Sequence, residues 1–403
     1  MIINLFNLLT IAFFSFISLY ISCNSVLSLA LFLSSFFLDI INSFLLILFV
    51  LIFVGFIKIV LLEKHKIFEI KKFSIYFCMN LLSYFFFNFI KVSFFCSSYF
   101  VLYSFNWYSN ILNIEYNFGL DYLSFIFIIL TLFLIPICLI ISWKNINYNI
   151  KQFFLLFLTL EILLINVFGA IDLMLFYIAF ESILIPMYFL IGYWGSRERR
   201  MHAAFQFFIY TLGGSLLMLA SLIFCQLNFG STNLHLLTNI ILTPYREGIL
   251  WFCFFIAFAV KIPMMPVHIW LPEAHVESAT GGSVALAGIL LKLGTYGALR
   301  FLIPLFPFGS VFFTPFVYLI SILGVFYASL TTLRQIDLKK IIAYSSVIHM
   351  NYLMFGLFSF NIEGLVGSLI LMVAHGFVSG DFLFVWVSYM IDIILVYRSL
   401  MGV

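Results

Sequence analysis

Residues 251–266 read Trp251-Phe-Cys-Phe-Phe-Ile-Ala-Phe-Ala-Val-Lys261-Ile-Pro263-Met-Met-Pro266, and this stretch decides the fold. Ten apolar residues meet a lysine, and two prolines follow at once. A charge at bilayer depth costs about 2.5–3.5 kcal/mol on insertion scales and survives where it faces protein or water. Proline removes a backbone donor. Broken helices are tolerated at membrane depth only where they line a cavity, as in ion-translocating folds. Lys261 beside a helix break at Pro263 and Pro266 therefore points to an ion path through a membrane rather than to a soluble enzyme.

The rest of the chain agrees. Of 403 residues, 65% are hydrophobic and 9% charged, and the mean hydropathy is +1.20. That composition implies an all-α polytopic membrane protein. The apolar runs are continuous rather than alternating, which excludes a transmembrane β-barrel. A net charge of +3, with no basic run interleaved with aromatics, gives no reason to expect nucleic acid. The 55 phenylalanines fit T-rich coding DNA and hint at an organellar genome. The six cysteines, Cys23, Cys78, Cys96, Cys138, Cys225 and Cys253, form no C-x-x-C pair, so neither a cluster ligand set nor a disulfide framework is expected. Residues 1–22 lack a cleavage site and read as a retained span.

Runs of spanning length fall near 5–22, 39–62, 73–103, 119–143, 152–170, 172–194, 202–228, 250–270, 279–303, 312–333, 339–359 and 364–390, about twelve in all, with 26–38 ambiguous. The loops carrying Lys64, Lys66, Lys71 and Lys72, then Lys144 and Lys151, then Arg197, Arg199 and Arg200, then Arg334, Lys339 and Lys340 all fall on one face with twelve spans. The intervening loops at 104–118, 170–172, 304–311 and 360–363 lack lysine and arginine. The positive-inside rule makes the basic face matrix or cytoplasm, with both termini on it. One loop breaks the pattern: 271–278 carries Glu273, His275 and Glu277.

At a rise of about 1.5 Å per residue, Glu181, Lys261, Lys292, His349 and His375 all fall near the midplane of their expected helices. Five ionisable groups on five helices at one level describe a hydrophilic axis, because the same groups isolated would each cost several kcal/mol. A carboxylate such as Glu181 can merely glue helices; pairing with a lysine is the better reading, since a charged neighbour lets a buried acid respond to its surroundings. Lys292 lies among Gly288, Gly294 and Gly297, whose spacing permits close helix packing. Buried lysines give up charge readily and can pass a proton. A core histidine is more often a satisfied hydrogen-bonder than a relay, and His349 and His375 are weighed against that. Asp381 is a further acid at membrane depth, and His268 and Glu277 are second-rank candidates. His268 and His275 flank Trp270-Leu-Pro-Glu273 at the expected interface without metal spacing, so no metal site is assigned. Asp121 and Glu115 read as interfacial. No phosphate loop, dinucleotide fingerprint or nucleophile–base arrangement occurs.

The segment Lys261-Ile-Pro-Met-Met-Pro-Val-His-Ile-Trp-Leu-Pro-Glu-Ala-His-Val-Glu277, with Gly282-Ser-Val-Ala-Leu-Ala-Gly-Ile-Leu-Leu-Lys-Leu-Gly-Thr-Tyr-Gly297, resembles the NADH:ubiquinone oxidoreductase chain 4 family. Gly119-Leu-Asp-Tyr-Leu-Ser124, Phe180-Glu-Ser-Ile-Leu-Ile-Pro-Met-Tyr188, Tyr210-Thr-Leu-Gly-Gly-Ser-Leu216, Tyr344-Ser-Ser-Val-Ile-His-Met350 and His375-Gly376 follow in family order, so the likeness covers roughly 119–390. It implies an antiporter-like fold of inverted five-helix repeats. Residues 1–118 would hold N-terminal helices with an additional span, 119–151 a linking helix, 152–303 a first repeat with a broken helix at 250–270, 312–390 a partial second repeat, and 391–403 a tail. By motif, Glu181 and Lys261 would be the acid–lysine pair, Lys292 the central lysine, and His349 and His375 relays on the axis.

The function so implied is proton translocation within respiratory complex I of the mitochondrial inner membrane, as a subunit of an enzyme whose redox chemistry lies elsewhere. Flavin, iron–sulfur clusters and ubiquinone would be bound by other subunits. Chain 2-like and chain 5-like subunits, accessory subunits and lipids such as cardiolipin would be the neighbours. Two sequence features depart from the family. Ser278-Ala279 stands where the family has Ala-Pro after H-V-E, and Asp381 stands where an apolar residue is usual. The second repeat would also be incomplete: either its own break and carboxylate arrive on a separate polypeptide of about three further spans, the favoured expectation, or the exit path differs. The competing readings are a subunit of a multi-component cation/proton antiporter, and a membrane scaffold in which Lys261→Ala or Glu181→Gln would leave pumping intact.

Overall fold

The structure is a computed structural model and describes residues 55, 57–59, 62, 67–92, 101–108 and 114–401 apart from 144, 147 and 241. The expected span at 5–22, most of that at 39–62, the ambiguous 26–38, and Cys23, Cys96, Lys64, Lys66 and Lys144 lie outside the described residues. The described elements run α1 (Ile67–Val92), β1 (Val101–Tyr108), β2 (Ile114–Leu120), α2 (Tyr122–Ile141), α3 (Ile150–Gly169), α4 (Leu173–Gly192), α5 (Arg200–Phe229) and α6 (Leu234–Thr238). They continue as α7 (Pro244–Lys261), α8 (Trp270–Glu277), α9 (Thr280–Leu305), α10 (Pro307–Phe312), α11 (Thr314–Leu333), α12 (Leu338–Leu357) and α13 (Ile362–Met401). Seven helices among the described residues are long and apolar enough to cross a membrane: α2, α3, α4, α5, α9, α11 and residues 362–381 of α13. The architecture is a helical membrane bundle.

Local chemistry sets the starts of these helices. Asp121 precedes α2, and its backbone N–H donates to Ser124 Oγ (2.7 Å) while that hydroxyl returns to Asp121 O (2.8 Å). Asp172 accepts from Met174 N at the head of α4 (3.3 Å), and Asn233 accepts from His235 N at the head of α6 (3.1 Å). Prolines open α7, α10 and α11, where a missing N–H loses nothing.

Three expectations need correction. First, the chain is not purely helical. The expected span 73–103 and loop 104–118 are replaced by α1 and an antiparallel hairpin in which Val101 pairs with Leu120 and Ser104 with Asn117. These segments alternate polar residues with Tyr, Phe, Trp, Val and Ile, a two-residue period that suits a strand. Second, Lys71 sits inside α1 rather than in a loop, and its Nζ donates to Trp143 O (2.5 Å). Third, residues 271–278 are not a surface loop. They belong largely to α8, whose apolar residues Trp270, Leu271 and Ala274 are buried as it packs between α5 and α12. After the prolines the chain turns and re-enters the bundle, which removes the acidic exception to the loop-charge pattern.

The break itself leaves backbone groups that must be satisfied away from water. Met264 N reaches back to Ala259 O (2.9 Å), so Val260 O loses its usual helical donor. The indole of Trp270 supplies one instead, Nε1 to Val260 O at 2.9 Å. Asn351 of α12, fully buried, donates to Pro263 O (3.4 Å) and Val347 O (2.8 Å).

The most enclosed span is α9, with 83% of its apolar stretch buried; α11 and residues 362–381 are the least, at 22% and 28%. The bundle is therefore built around α9. Two close approaches seat it. A Cβ at Gly294 would stand 2.7 Å from Ile262 Cγ1 and 3.1 Å from Lys261 Cβ, so only glycine lets α9 lie against the end of α7. A Cβ at Gly376 would stand 3.3 Å from Gly288 O, where α13 crosses α9.

Candidate functional site

Lys292 is fully buried at the centre of α9, in a regular turn (Leu291–Gly297) between two π-helical stretches, Leu286–Leu290 and Ala298–Leu302. A π-turn frees carbonyls from the regular ladder. The lysine uses one of them, Nζ donating to Ala287 O (2.5 Å). Its second contact is His375 Nδ1 at 2.8 Å, across the approach that Gly288 and Gly376 allow. Among the described residues no carboxylate lies within ion-pair distance of Lys292. The His375 ring in turn stands 5.7 Å, centroid to centroid and edge to face, from that of His349 on α12. Lys292, His375 and His349 thus form a contiguous row from three helices, although His349 is exposed on this chain where the axis suggested burial.

His275 of α8 lies within electrostatic reach of this row. It is 1% exposed, neither ring nitrogen has a hydrogen-bond partner, and it interacts electrostatically with Lys292, His375 and Lys339. The sequence places it at the membrane interface, where 271–278 reads as a loop; the helical spacing of Trp270 and Ala274 is the signal of an apolar helical face. Asn351 was missed as well, although a polar residue two positions past His349 in an apolar run is itself a signal.

Glu181 and Lys261 are brought together less tightly. Their charges act on one another, yet no oxygen of Glu181 and not the Nζ of Lys261 has a hydrogen-bond partner. The hydroxyl of Ser215, beside the carboxylate, instead donates to Leu212 O (2.9 Å). Lys261 is 3% exposed, with its ammonium 4.4 Å from the centroid of the Phe180 ring. The acid–lysine pair is therefore held in a separated arrangement.

The remaining candidates are peripheral to this row. His268, buried in the turn after Pro266, packs edge-on against Tyr327 of α11 at 5.5 Å. Asp381 is exposed on α13. Glu277 closes α8 beside the basic segments: its carbonyl accepts from Ser196 N (2.9 Å), and its carboxylate interacts with Arg197, Arg199 and Lys339. Lys339 donates to Ser278 O (3.2 Å), and Arg197 pairs with Asp337 (3.1 Å). The Arg197 guanidinium, hydrogen-bonded to Asp337, holds that carboxyl below the usual carboxylate range. The basic segments 195–201 and 334–340 thus meet at one end of the bundle. Elsewhere, Asp121 is not a free interfacial acid, for it pairs with Arg300 of α9. Among the described residues no three His, Cys, Asp or Glu side chains converge as a metal would require.

Residues 170–397 match the family model described as NADH:quinone oxidoreductase/Mrp antiporter, TM, and residues 70–167 match that described as NADH-ubiquinone oxidoreductase chain 4, amino terminus. NADH-ubiquinone oxidoreductase chain 4 of Prototheca wickerhamii is 57% identical over 261 residues, 65% of this chain and 50% of that protein. The chain 4 proteins of Arabidopsis thaliana (55% over 278 residues, 69% and 56%) and Acanthamoeba castellanii (48% over 333 residues, 80% and 65%) are similar too. This chain spans between half and two thirds of the length of these relatives. Among solved structures, a chain of respiratory complex I from Thermus thermophilus with bound NADH superposes with a TM-score of 0.75 at 27% identity, over 85% of this chain and 70% of that one. A chain of the Mrp complex from Dietzia sp. shares the fold (TM-score 0.71, 19% identity, 83% and 37% covered).

Proposed function

This chain belongs to the NADH:quinone oxidoreductase/Mrp antiporter membrane family, on its chain 4 branch, and from that premise we propose that it carries protons as a membrane subunit of a proton-translocating NADH:ubiquinone oxidoreductase. The observation that carries the reading is Lys292, fully buried, without a counter-carboxylate among the described residues, and in contact with a histidine nitrogen at 2.8 Å. A structural lysine at this depth would be neutralised by an acid; one that touches an imidazole can hand over its proton.

The step balances simply. Lys292 donates along the Nζ–Nδ1 contact, becoming a neutral amine as His375 becomes imidazolium. His375 then releases a proton from its other ring nitrogen toward His349. His275, which interacts electrostatically with Lys292, is the group proposed to return a proton to it. The Glu181–Lys261 pair modulates the step electrostatically: closing or opening it changes the field at the neighbouring axis. Lys292, His349, His375, Glu181 and Lys261 are thus assigned to the proton path, with Pro263 and Pro266 making the break that positions Lys261. His268, Glu277 and Asp381 are second-rank candidates for that path, since each lies peripheral to the row and Asp381 is exposed.

The redox groups, flavin, iron–sulfur clusters and ubiquinone, belong in this reading to other subunits. Chain 2-like and chain 5-like subunits and anionic lipids such as cardiolipin are the proposed neighbours. The mitochondrial inner membrane, with the basic segments toward the matrix, is the proposed setting. The test uses the complex containing this chain in sealed vesicles. Lys292→Ala should cut NADH-driven acidification at least tenfold while the complex still assembles. Acidification at the wild-type rate would overturn the assignment. Cation-driven proton exchange without NADH would favour the antiporter reading instead.

A further inference from the structure

The ammonium of Lys261 rests on a ring rather than on an acid. It is buried, has no hydrogen-bond partner, and among the described residues no carboxylate oxygen lies within ion-pair distance. What faces it is the π-surface of Phe180, 4.4 Å to the centroid, with Phe207 of α5 at 6.0 Å. Both distances are within cation–π range, and the contact is desolvated, the condition in which it is strongest. The rings are braced. Phe180 stacks on Phe176 (5.4 Å) and meets Phe258 edge-on (6.4 Å). Phe207 leans on Trp270 (5.3 Å), whose indole is anchored to Val260 O.

We propose that Phe180 is a positioning residue for Lys261: with Phe207 it forms an aromatic cradle that holds the ammonium apart from Glu181. The inference rests on reading Glu181 and Lys261 as a proton-handling pair and adds the element that sets its resting arrangement. Phe180 immediately precedes Glu181 on α4, so the lysine chooses between two adjacent side chains. A ring attracts a cation but cannot accept its proton; a carboxylate can do both. While the ammonium lies in the cradle, its proton stays on Lys261, and only movement toward Glu181 brings a proton acceptor within reach. A Phe that merely filled the core would be indifferent to the charge beside it.

The test compares Phe180→Leu, which keeps an apolar side chain but removes the ring, with Phe180→Tyr, which keeps the ring. Both are examined in the assembled complex by high-resolution structure and by NADH-driven acidification of sealed vesicles. In Phe180→Leu, Lys261 Nζ should move within ion-pair distance of Glu181, and acidification should fall about tenfold. Phe180→Tyr should restore both. The proposal is overturned if Nζ stays unpaired in Phe180→Leu, or if Tyr and Leu are equally impaired. Should Phe180→Leu not assemble, Phe207→Leu takes its place: a smaller displacement toward Glu181 supports the cradle, and an unmoved Nζ refutes it. Wild-type acidification by Lys261→Ala would remove the proton-handling reading of the pair, whereas the position of Nζ would still decide the cradle.

Discussion

Replacing Trp270 by phenylalanine tests whether the helix break is held by a side chain. The indole donates from Nε1 to Val260 O at 2.9 Å, and this carbonyl lost its usual helical donor when Met264 N turned back to Ala259 O. Phenylalanine keeps a ring against Phe207 but removes the donor. Leaving a buried carbonyl unsatisfied costs about 1–3 kcal/mol in water-soluble proteins. Side-chain hydrogen bonds inside membranes average only about 0.6 kcal/mol, with a maximum near 1.7, because the unfolded reference state in the bilayer also finds partners. Val260 is 3% exposed and sits at a break where no backbone donor replaces the indole, so a value near the upper membrane figure applies. The smaller ring leaves a void worth about 1 kcal/mol more. The sum is about 2–3 kcal/mol, and at about 1.4 kcal/mol per decade the lifetime of the native arrangement shortens by about five- to twelvefold if half the loss falls on the unfolding barrier. The assay is the half-life of NADH-driven acidification in sealed vesicles held at one elevated temperature. A half-life for Trp270→Phe within twofold of wild type would refute the account of the break.

Three further expectations follow from neighbouring geometry. Gly294→Val inserts a branched side chain where Ile262 Cγ1 already lies 2.7 Å from the Cβ position; overpacking of about 1–3 kcal/mol should separate α9 from α7 and lower assembled complex, read by native gel. His375→Leu removes the acceptor of Lys292 and should abolish acidification, whereas His375→Gln, which offers an acceptor that cannot become a cation, should rescue assembly but not pumping. The Arg197–Asp337 pair sets a pH window. The carboxyl's folded-state value is depressed, so its stabilisation is present above the unfolded value and is lost as pH falls through the folded one. Both side chains are more than 40% exposed, so Asp337→Asn should change stability at neutral pH by at most about 0.5 kcal/mol. That difference should disappear as pH falls through the depressed folded-state value and shrink in high salt, as followed by thermal denaturation.

The sequence by itself determined the solvent, the class and most of the chemistry. An apolar content of 65% admits only a membrane bundle, and the Lys261–Pro266 segment announces the break because a charge and two missing donors carry meaning in a lipid setting whatever surrounds them. Lys292, Glu181 and His375 were legible for the same reason: ionisable groups in apolar runs are too costly to be incidental. Only the tertiary structure decided what each of them touches. The spacing of Trp270 and Ala274 marks an apolar helical face, but that α8 returns into the bundle and buries His275 is decided by its packing between α5 and α12. The alternation in 101–108 and 114–120 suits strands, but the register in which Val101 meets Leu120 is decided by pairing. The Lys292–His375 contact requires two glycines on helices more than eighty residues apart to meet. Lys261 shows the division most plainly. Its charge was readable from composition, but its partner was not, because whether an ammonium settles on an acid or on the ring one residue before it is decided by directions in space, over a difference of a few ångströms.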